Sequence, residues 1–140
     1  MTHITRCLAL SALVGLGTGC ENLPPAPDVP NQPPTASFYF TPVAPIWAGQ
    51  TAVSFSAINA RDPDGRVMSY VWNFGDGTPE ETTNQANIRH TFPDTPARCL
   101  NVTYGVLLSV VDDKGDRGAA SLGVTVIEAP APTAPECQAR

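Results

Sequence analysis

The sequence predicts an all-β protein in which two sheets pack face to face. Apolar residues recur at every second position in six short segments, and clusters of Gly, Pro, Asp and Asn separate these segments. No segment carries a convincing helical period. Strands with one apolar face each must bury that face against another layer, so the pattern favours a two-sheet β-sandwich.

The six segments follow one another between residues 36 and 127. The loops between them include DPDG, GDGT, PDTP and DDKGD, which are typical of tight turns. Trp72 is predicted to lie in the core, because its neighbours in phase are apolar. The residues predicted to face the core are, in chain order, Phe38, Phe40, Val53, Phe55, Ala57, Met68, Tyr70, Trp72, Phe74, Ile88, His90, Phe92, Val102, Tyr104, Val106, Leu108, Val110, Leu122, Val124 and Val126.

The first 19 residues are predicted to be an export signal. Arg6 is followed by an apolar run and then by small residues up to Cys20. The run is too short to span a bilayer, which takes about 20 apolar residues. The alternative, an N-terminal core helix, is disfavoured because nothing amphipathic follows.

Cys20 is predicted to carry a lipid. The stretch from Leu16 to Cys20 resembles a lipobox, although Gly17 stands where the pattern prefers a large aliphatic residue. Gly17 and Gly19 also suit ordinary signal cleavage, which would release a soluble protein. Removal of the signal leaves three cysteines, an odd number for an oxidising compartment, and lipidation of Cys20 resolves that parity.

Cys99 and Cys137 are then left as one possible disulfide. Counting strands places the loop of Cys99 at the end of the sandwich where the last strand finishes, and Cys137 follows about ten residues later. The bond would close a loop of roughly 38 residues. The alternative is two free thiols, one of them available for a bond between molecules.

Proline-rich segments flank the predicted domain. Residues 20–35 contain six prolines and few large apolar side chains, which predicts a stiff extended tether from the membrane. Residues 128–140 form a second proline-rich stretch. The predicted organisation is therefore a signal peptide over 1–19, a lipidated tether over 20–35, the β-sandwich over 36–127 and a tail over 128–140.

The segment from Tyr70 to Gly77, YVWNFGDG, resembles the signature of PKD (polycystic kidney disease) domains, Y-x-W-D-F-G-D-G. NQPPTASF, AGQTAVSFSA, DPDG, RHTF and YGVLLSVVDDKG are similar to other stretches of that family, in the same order. The resemblance spans about residues 31–127 and implies an immunoglobulin-like (PKD-type) sandwich. Asn73 replaces the usual Asp, which puts in doubt any role of that carboxylate, and the PDTPARCLNV stretch is longer than usual in the family.

Composition and motif spacing exclude several classes of function. The net charge is −5 and no Lys/Arg run occurs, so a nucleic-acid partner is not expected. One histidine remains after signal removal, His90, and no spacing matches a catalytic triad. Cys99 and Cys137 lack the partners of a zinc site. We therefore expect no enzymatic activity and no required cofactor.

Acidic loops are predicted to meet at one end of the sandwich. In an immunoglobulin-like meander the start of the first strand, the DPDG loop and the DDKGD loop share an end. Their oxygen-bearing side chains suit Ca²⁺, which takes six to eight oxygen ligands, and some members of the resembled family bind calcium at such an end. The alternative is that they are solvated turn residues. The candidate ligands are Asn31, Asp62, Asp64 and Asp112, with Asp113 and Asp116 beside them.

Trp47 falls outside the strand pattern and is a candidate binding residue. A loop tryptophan can stack on a sugar or anchor a protein partner; the alternative is that it folds over the end of the sandwich. PKD domains commonly serve adhesion and protein contacts, so the resemblance implies a cell-envelope binding module for a protein or polysaccharide. A structural subunit of a surface assembly, or a soluble secreted module, are the alternatives.

Overall fold

A computed structural model describes residues 28–94 and 101–127 of the chain. The described residues form seven strands and no helix, as the alternation predicts. None of them forms a helix with the length and apolarity that crossing a bilayer requires. The strands are β1 (Tyr39–Thr41), β2 (Val53–Ser56), β3 (Val67–Asn73), β4 (Glu81–Thr83), β5 (Asn87–His90), β6 (Val102–Asp112) and β7 (Arg117–Val126).

The strands form two antiparallel sheets. One sheet has the order β1-β2-β5 and the other has the order β4-β3-β6-β7. The longest pairing joins β6 to β7, in register from Val102 with Val126 to Val111 with Arg117. Successive side chains point to opposite faces of a strand, so each sheet turns one row of apolar residues toward the other. The predicted two-sheet sandwich is confirmed.

A backbone crossing ties the two sheets together near the end of β7. After β1, the chain leaves the first sheet, and Trp47 forms a parallel bridge with Ile127. The Ala48 amide donates to the Ile127 carbonyl at 3.0 Å, and the Ile127 amide donates to the Ile46 carbonyl at 2.7 Å. Ile46 and Ala48 are buried on either side of Trp47.

Aromatic rings occupy the centre of the core. Trp72 is 0% exposed and its ring meets that of Phe38 edge-on, with centroids 5.1 Å apart. Phe55 lies 5.7 Å from Trp72 and 5.3 Å from Phe74, centroid to centroid. Large rings in tilted and edge-on arrangements supply much apolar area to a small domain. Trp72 is therefore a core residue, as its in-phase neighbours predict.

Two predicted core positions are wrong, and one strand was not foreseen. Met68 is 47% exposed, because the β3–β6 register shifts between Val67 and Ser69 and the bulge moves Met68 out of phase. Leu122 is 40% exposed. It lies on the edge strand of the wider sheet, and the opposing strands are only three or four residues long. β4 carries no apolar residue, so alternation could not reveal it.

Candidate functional site

The predicted acidic end exists as a set of contacts. We define it by Asn31, Asp62, Asp64, Asp112, Asp113 and Asp116. The Asn31 amide donates to the carboxylates of Asp112 and Asp116, each at 2.7 Å. The Gln32 backbone amide donates to the Asp64 carboxylate at 3.3 Å. The start of the domain, the DPDG loop and the DDKGD loop therefore lie together, as the strand count predicted.

Asp112 organises the turn between β6 and β7. Its Oδ1 atom accepts hydrogen bonds from the backbone amides of Lys114 at 2.9 Å and Asp116 at 2.8 Å. The residue is 3% exposed. Burial would by itself raise the pKa of Asp112, but the hydrogen bonds from Asn31 and the turn amides stabilise the ionised form and lower that pKa. The main role of the Asp112 carboxylate is therefore structural, because it holds the turn between β6 and β7 together.

Asp62 has the opposite environment. Its Oδ2 atom and the Oδ1 atom of Asn31 are buried and have no hydrogen-bond partner among the described residues. Burial, reinforced by repulsion from Asp64, Asp112 and Asp113, raises the pKa of Asp62. Lys114 pairs with Asp64 at 3.2 Å and compensates only part of this charge. Buried oxygens without a donor are uncommon in folded proteins.

These contacts allow a direct comparison with the needs of a cation. Among residues 28–94 and 101–127, no three His, Cys, Asp or Glu side chains are placed together as a metal-binding group. Asp112 already accepts hydrogen bonds from the turn and from Asn31. The oxygens that remain without a partner for a hard cation are Oδ2 of Asp62 and Oδ1 of Asn31, whereas the Asp64 carboxylate already accepts from Gln32 and Lys114.

Trp47 lies in a loop and is partly exposed. It is 38% exposed. Its carbonyl accepts from the amide of Thr51 at 2.9 Å, and the Thr51 hydroxyl accepts from the Trp47 amide at 2.9 Å. The loop that carries Trp47 is thus a closed turn, and its ring offers a limited apolar surface to a partner.

A buried pair that the sequence did not predict joins the signature turn to β5. The Asp76 carboxylate lies 2.6 Å from Nε2 of His90 and also accepts from the amide and hydroxyl of Thr78, at 3.0 and 2.6 Å. The Asp76 side chain is fully buried. The His90 ring stacks on Phe74, with centroids 3.7 Å apart. Two sequence features could have suggested this contact: the Asp of the GDG turn, and a His in phase with the core residues of a later strand.

The Asp76–His90 pair is a structural contact rather than the start of a triad. Burial would raise the pKa of Asp76, but hydrogen bonds from Thr78 and His90 outweigh it and lower that pKa. The ionised carboxylate can only accept, so Nε2 of His90 donates. The Thr78 hydroxyl bonds to the carboxylate and not to the imidazole, so these three side chains lack the hydroxyl–imidazole–carboxylate order of a triad.

The substituted signature position keeps a turn role. Asn73 Oδ1 accepts from the Gly75 amide at 2.9 Å, and the Asn73 amide donates to Glu80 at 3.1 Å. A carboxylate could fill the acceptor role but not the donor role. Gly75 and Gly77 adopt φ values of 71° and 87°, as expected for the tight turn. Three further predicted site residues, Cys20, Cys99 and Cys137, lie outside the described residues.

Comparison with known proteins identifies the module. The family model described as PKD domain matches residues 31–126. The chain is 35% identical over 78 residues to collagenase ColA of Bacillus cereus, covering 56% of this chain and 7% of that enzyme. It is 32% identical over 76 residues to collagenase ColA of Clostridium perfringens, covering 54% of this chain and 6% of that enzyme. The chain thus matches only a small part of these curated relatives.

Solved structures share the fold. A structure from work on carbohydrate-binding modules of the β-sandwich superfamily matches with a TM-score of 0.63 at 32% identity, over 76% of this chain and 39% of that one. The PKD1 domain of Vibrio anguillarum Epp matches with a TM-score of 0.53 at 25% identity, over 71% of this chain and 100% of that one. The PKD1 domain of the Vibrio cholerae metalloprotease PrtV gives a TM-score of 0.52 at 26% identity, over 69% and 99%.

Proposed function

The chain belongs to the PKD domain family, and from that premise we propose that it is a non-catalytic module that binds a protein or a polysaccharide at the cell envelope. The observation that carries the proposal is the extent of the similarity. The chain aligns with 6–8% of the length of three collagenases, so it shares a module with them and not most of the enzyme. Fold alone does not define function, and the binding partner has to be found at the surface.

The disposition of reactive groups supports a non-catalytic role. Within the described ranges, the one histidine, His90, is stacked on Phe74 and hydrogen-bonded to buried Asp76. The signature aromatics Trp72 and Phe74 are fully buried. Side chains that are buried in the core cannot contact a substrate, so recognition falls to residues on the surface.

We further propose that the module is exported and held at a membrane by a lipid on Cys20, probing its surroundings on the proline-rich segment 20–35. The support is the signal-like pattern of residues 1–19 and the odd number of cysteines that follow it. Mass spectrometry of the mature N-terminus tests this. A diacylated Cys20 is expected, whereas an unmodified Cys20 would make the chain a soluble secreted module.

The proposed binding module and the alternative, a structural subunit of a surface assembly, differ in the stoichiometry of their partners. A binding module engages its ligand reversibly, whereas a structural subunit of a surface assembly has a permanent partner. Cross-linking on intact envelopes, followed by pull-down of the full chain, separates them. We expect substoichiometric capture of a protein, or retention on glycan arrays. A stoichiometric protein partner that survives high salt would favour the subunit. Absence of both captured protein and bound glycan would overturn the binding proposal.

Trp47 is the proposed anchor for a protein ligand. Trp47 is partly exposed and its backbone closes a turn with Thr51, so a partner can pack on it without reordering a loop. Trp47→Ala should weaken protein capture from envelopes and leave the folded state intact. A protein partner that binds this variant as well as the natural chain would remove Trp47 from the interface.

We also propose that the acidic end binds Ca²⁺. The support is that Asp62 and Asn31 each have a buried, unpartnered oxygen, since a bound cation supplies a partner for such oxygens and relieves the repulsion among the carboxylates. Calcium titration should raise the Tm of the full chain, and Asp62→Asn should remove that response. Asp94→Asn, which lies elsewhere beside Gly49, is the matched control. No heat and no Tm change on titration would overturn the proposal.

A further inference from the structure

The outer face of the β1-β2-β5 sheet carries a groove that neither the signature nor the acidic end uses. Its volume is about 470 Å³. We name it the sheet-face groove and define it by the outward side chains that line it, Tyr39, Thr41, Ser54, Ser56, Asn87 and Arg89. Cavities of this size hold small ligands or a few units of a polymer.

Strand register explains the shape of the groove. Ser56 is the partner of Tyr39 on one side and of Asn87 on the other, and Ser54 is likewise the partner of Thr41 and Arg89. The outward residues thus form two rows of three across the sheet. Adjacent strands lie about 4.8 Å apart, and alternate residues on one strand about 6.8 Å apart. The short serines of the central strand form a floor of roughly 10 by 7 Å between longer side chains on the outer strands.

The chemistry of the lining is distinctive for this chain. Besides Phe55 and Ile88, the residues that line the groove carry hydroxyl groups, one amide and one guanidinium, and none carries a carboxylate. Arg89 is exposed, and the ion pairs among the described residues are His90–Asp76 and Lys114–Asp64, so Arg89 has no ionic partner there. In a chain of net charge −5, the groove therefore presents an isolated positive charge.

An aromatic ring stands at the opposite corner of the groove from Arg89. Tyr39 is 51% exposed and belongs to the other outer strand and the other row. Tyrosine combines an apolar ring face with a hydroxyl, and that combination suits the apolar face of a sugar ring and its hydroxyl groups. The diagonal from Tyr39 to Arg89 is about 12 Å from the sheet spacings, the length of roughly two linked sugars.

We infer that the sheet-face groove binds a short segment of a carboxylate-bearing polysaccharide, with Tyr39 stacking on one sugar and Arg89 pairing with the carboxylate of another. This inference rests on the proposed binding function and names its ligand class. Arg pairs carboxylates through two parallel hydrogen bonds. Ser54, Ser56 and Asn87 supply donors and acceptors for the sugar hydroxyls between them.

An array of uronic-acid oligosaccharides, two to six sugars long, tests the inference on the full chain. Neutral hexose oligomers of equal length serve as controls, and a chelator removes any calcium bridge. Binding to the uronic acids and not to the neutral oligomers is expected, and it should weaken as salt rises. Retention of neither class, or of the neutral oligomers equally well, would overturn the ligand class.

Variants locate the site. Arg89→Gln should weaken calorimetric binding of the best uronic-acid oligomer about tenfold or more, and Tyr39→Ala should weaken it at least about fivefold. Tyr39→Phe keeps the ring and should retain most of the affinity. Arg117→Gln, which removes the same charge from β7 of the other sheet, should leave the affinity unchanged.

The outcomes separate this inference from the broader function. Uronic-acid binding that is unaffected by Arg89→Gln and Tyr39→Ala would show that the site is not the sheet-face groove, while the chain would remain a glycan-binding module. Capture of a protein from envelopes without any glycan binding would overturn the ligand class and leave the module. Failure of both assays would overturn the inference and the proposed function together.

Discussion

Asp76 and His90, 14 residues apart in sequence, meet through a hydrogen bond of 2.6 Å between Oδ2 and Nε2. The contact fixes the turn after β3 to strand β5 of the other sheet, and Phe74 covers the imidazole. A buried carboxylate is tolerated only when its oxygens are paired, and Thr78 supplies the other hydrogen bonds. The pair is therefore a link between the two sheets.

The first prediction concerns pH. Because the pKa of Asp76 is lower in the folded chain than in the unfolded chain, its contribution to stability is present above about pH 4 and is lost as pH falls through the folded pKa. Asp76→Asn should destabilise the domain at pH 7 by about 1–3 kcal/mol. The difference between the two proteins should shrink below pH 4 in urea unfolding.

Glu81→Gln is the control for this prediction, since Glu81 is exposed on β4. It should leave the free energy of unfolding nearly unchanged across the same pH range. A gap between Asp76→Asn and the natural chain that stays constant from pH 7 to pH 3 would contradict the lowered pKa.

The second prediction compares two glycines of the signature turn. Both have positive φ, but a Cβ on Gly75 would lie 2.6 Å from the Gly105 carbonyl oxygen, whereas a Cβ on Gly77 would meet nothing. Gly77→Ala should cost about 1–2 kcal/mol from its backbone conformation alone. Gly75→Ala should cost more, about 3 kcal/mol or above, because β6 backbone must also move. Thermal unfolding of the two variants measures the difference, and equal losses would argue against the close approach.

The third prediction tests the bulge in β3. Trp72→Ala should destabilise the domain by about 3–5 kcal/mol, because it empties the centre of the core. Met68→Ala, on the same alternation in sequence, should cost less than about 1 kcal/mol because the bulge exposes that side chain. Denaturant titrations give both values. A large loss of stability in Met68→Ala would indicate that Met68 lies in the core and would contradict the bulge.

The fourth prediction concerns the two cysteines that flank the end of the domain. A Cys99–Cys137 disulfide would stabilise the folded chain by about 3–4 kcal/mol through a loop of roughly 38 residues. Denatured, non-reduced protein should show neither thiol to an alkylating reagent, and a reductant should lower the Tm. Two reactive thiols per chain would show that the bond is absent.

The sequence predicted the sandwich because alternation reports which face of a strand is buried. Val106, Leu108 and Val110 on β6 are fully buried as expected. The same rule failed at Met68, where one extra residue in a strand reverses the phase, and at Leu122, where burial depends on the width of the opposite sheet. The alternation of apolar residues reveals neither the position of a bulge nor the width of the opposite sheet.

The candidate sites were predicted unevenly for a related reason. The acidic end followed from counting turns, because loops alternate between the two ends of a meander. The contacts of Asn31 with Asp112 and of Asp64 with Gln32 and Lys114 show that the loops meet. The Asp76–His90 pair and the sheet-face groove depend on which residues lie opposite each other on neighbouring strands. Tyr39, Ser56 and Asn87 can be recognised as neighbours only when that register is known.

The central claim is that the signature residues build the core and that recognition belongs to the surface. Binding of the purified, labelled chain to intact envelopes, compared between the natural sequence and Trp72→Phe, tests it most directly. The variant keeps an apolar ring and should fold with reduced stability, and its affinity should stay within about twofold of the natural chain. Loss of binding by a Trp72→Phe variant that remains fully folded would make Trp72 a contact residue and contradict the account.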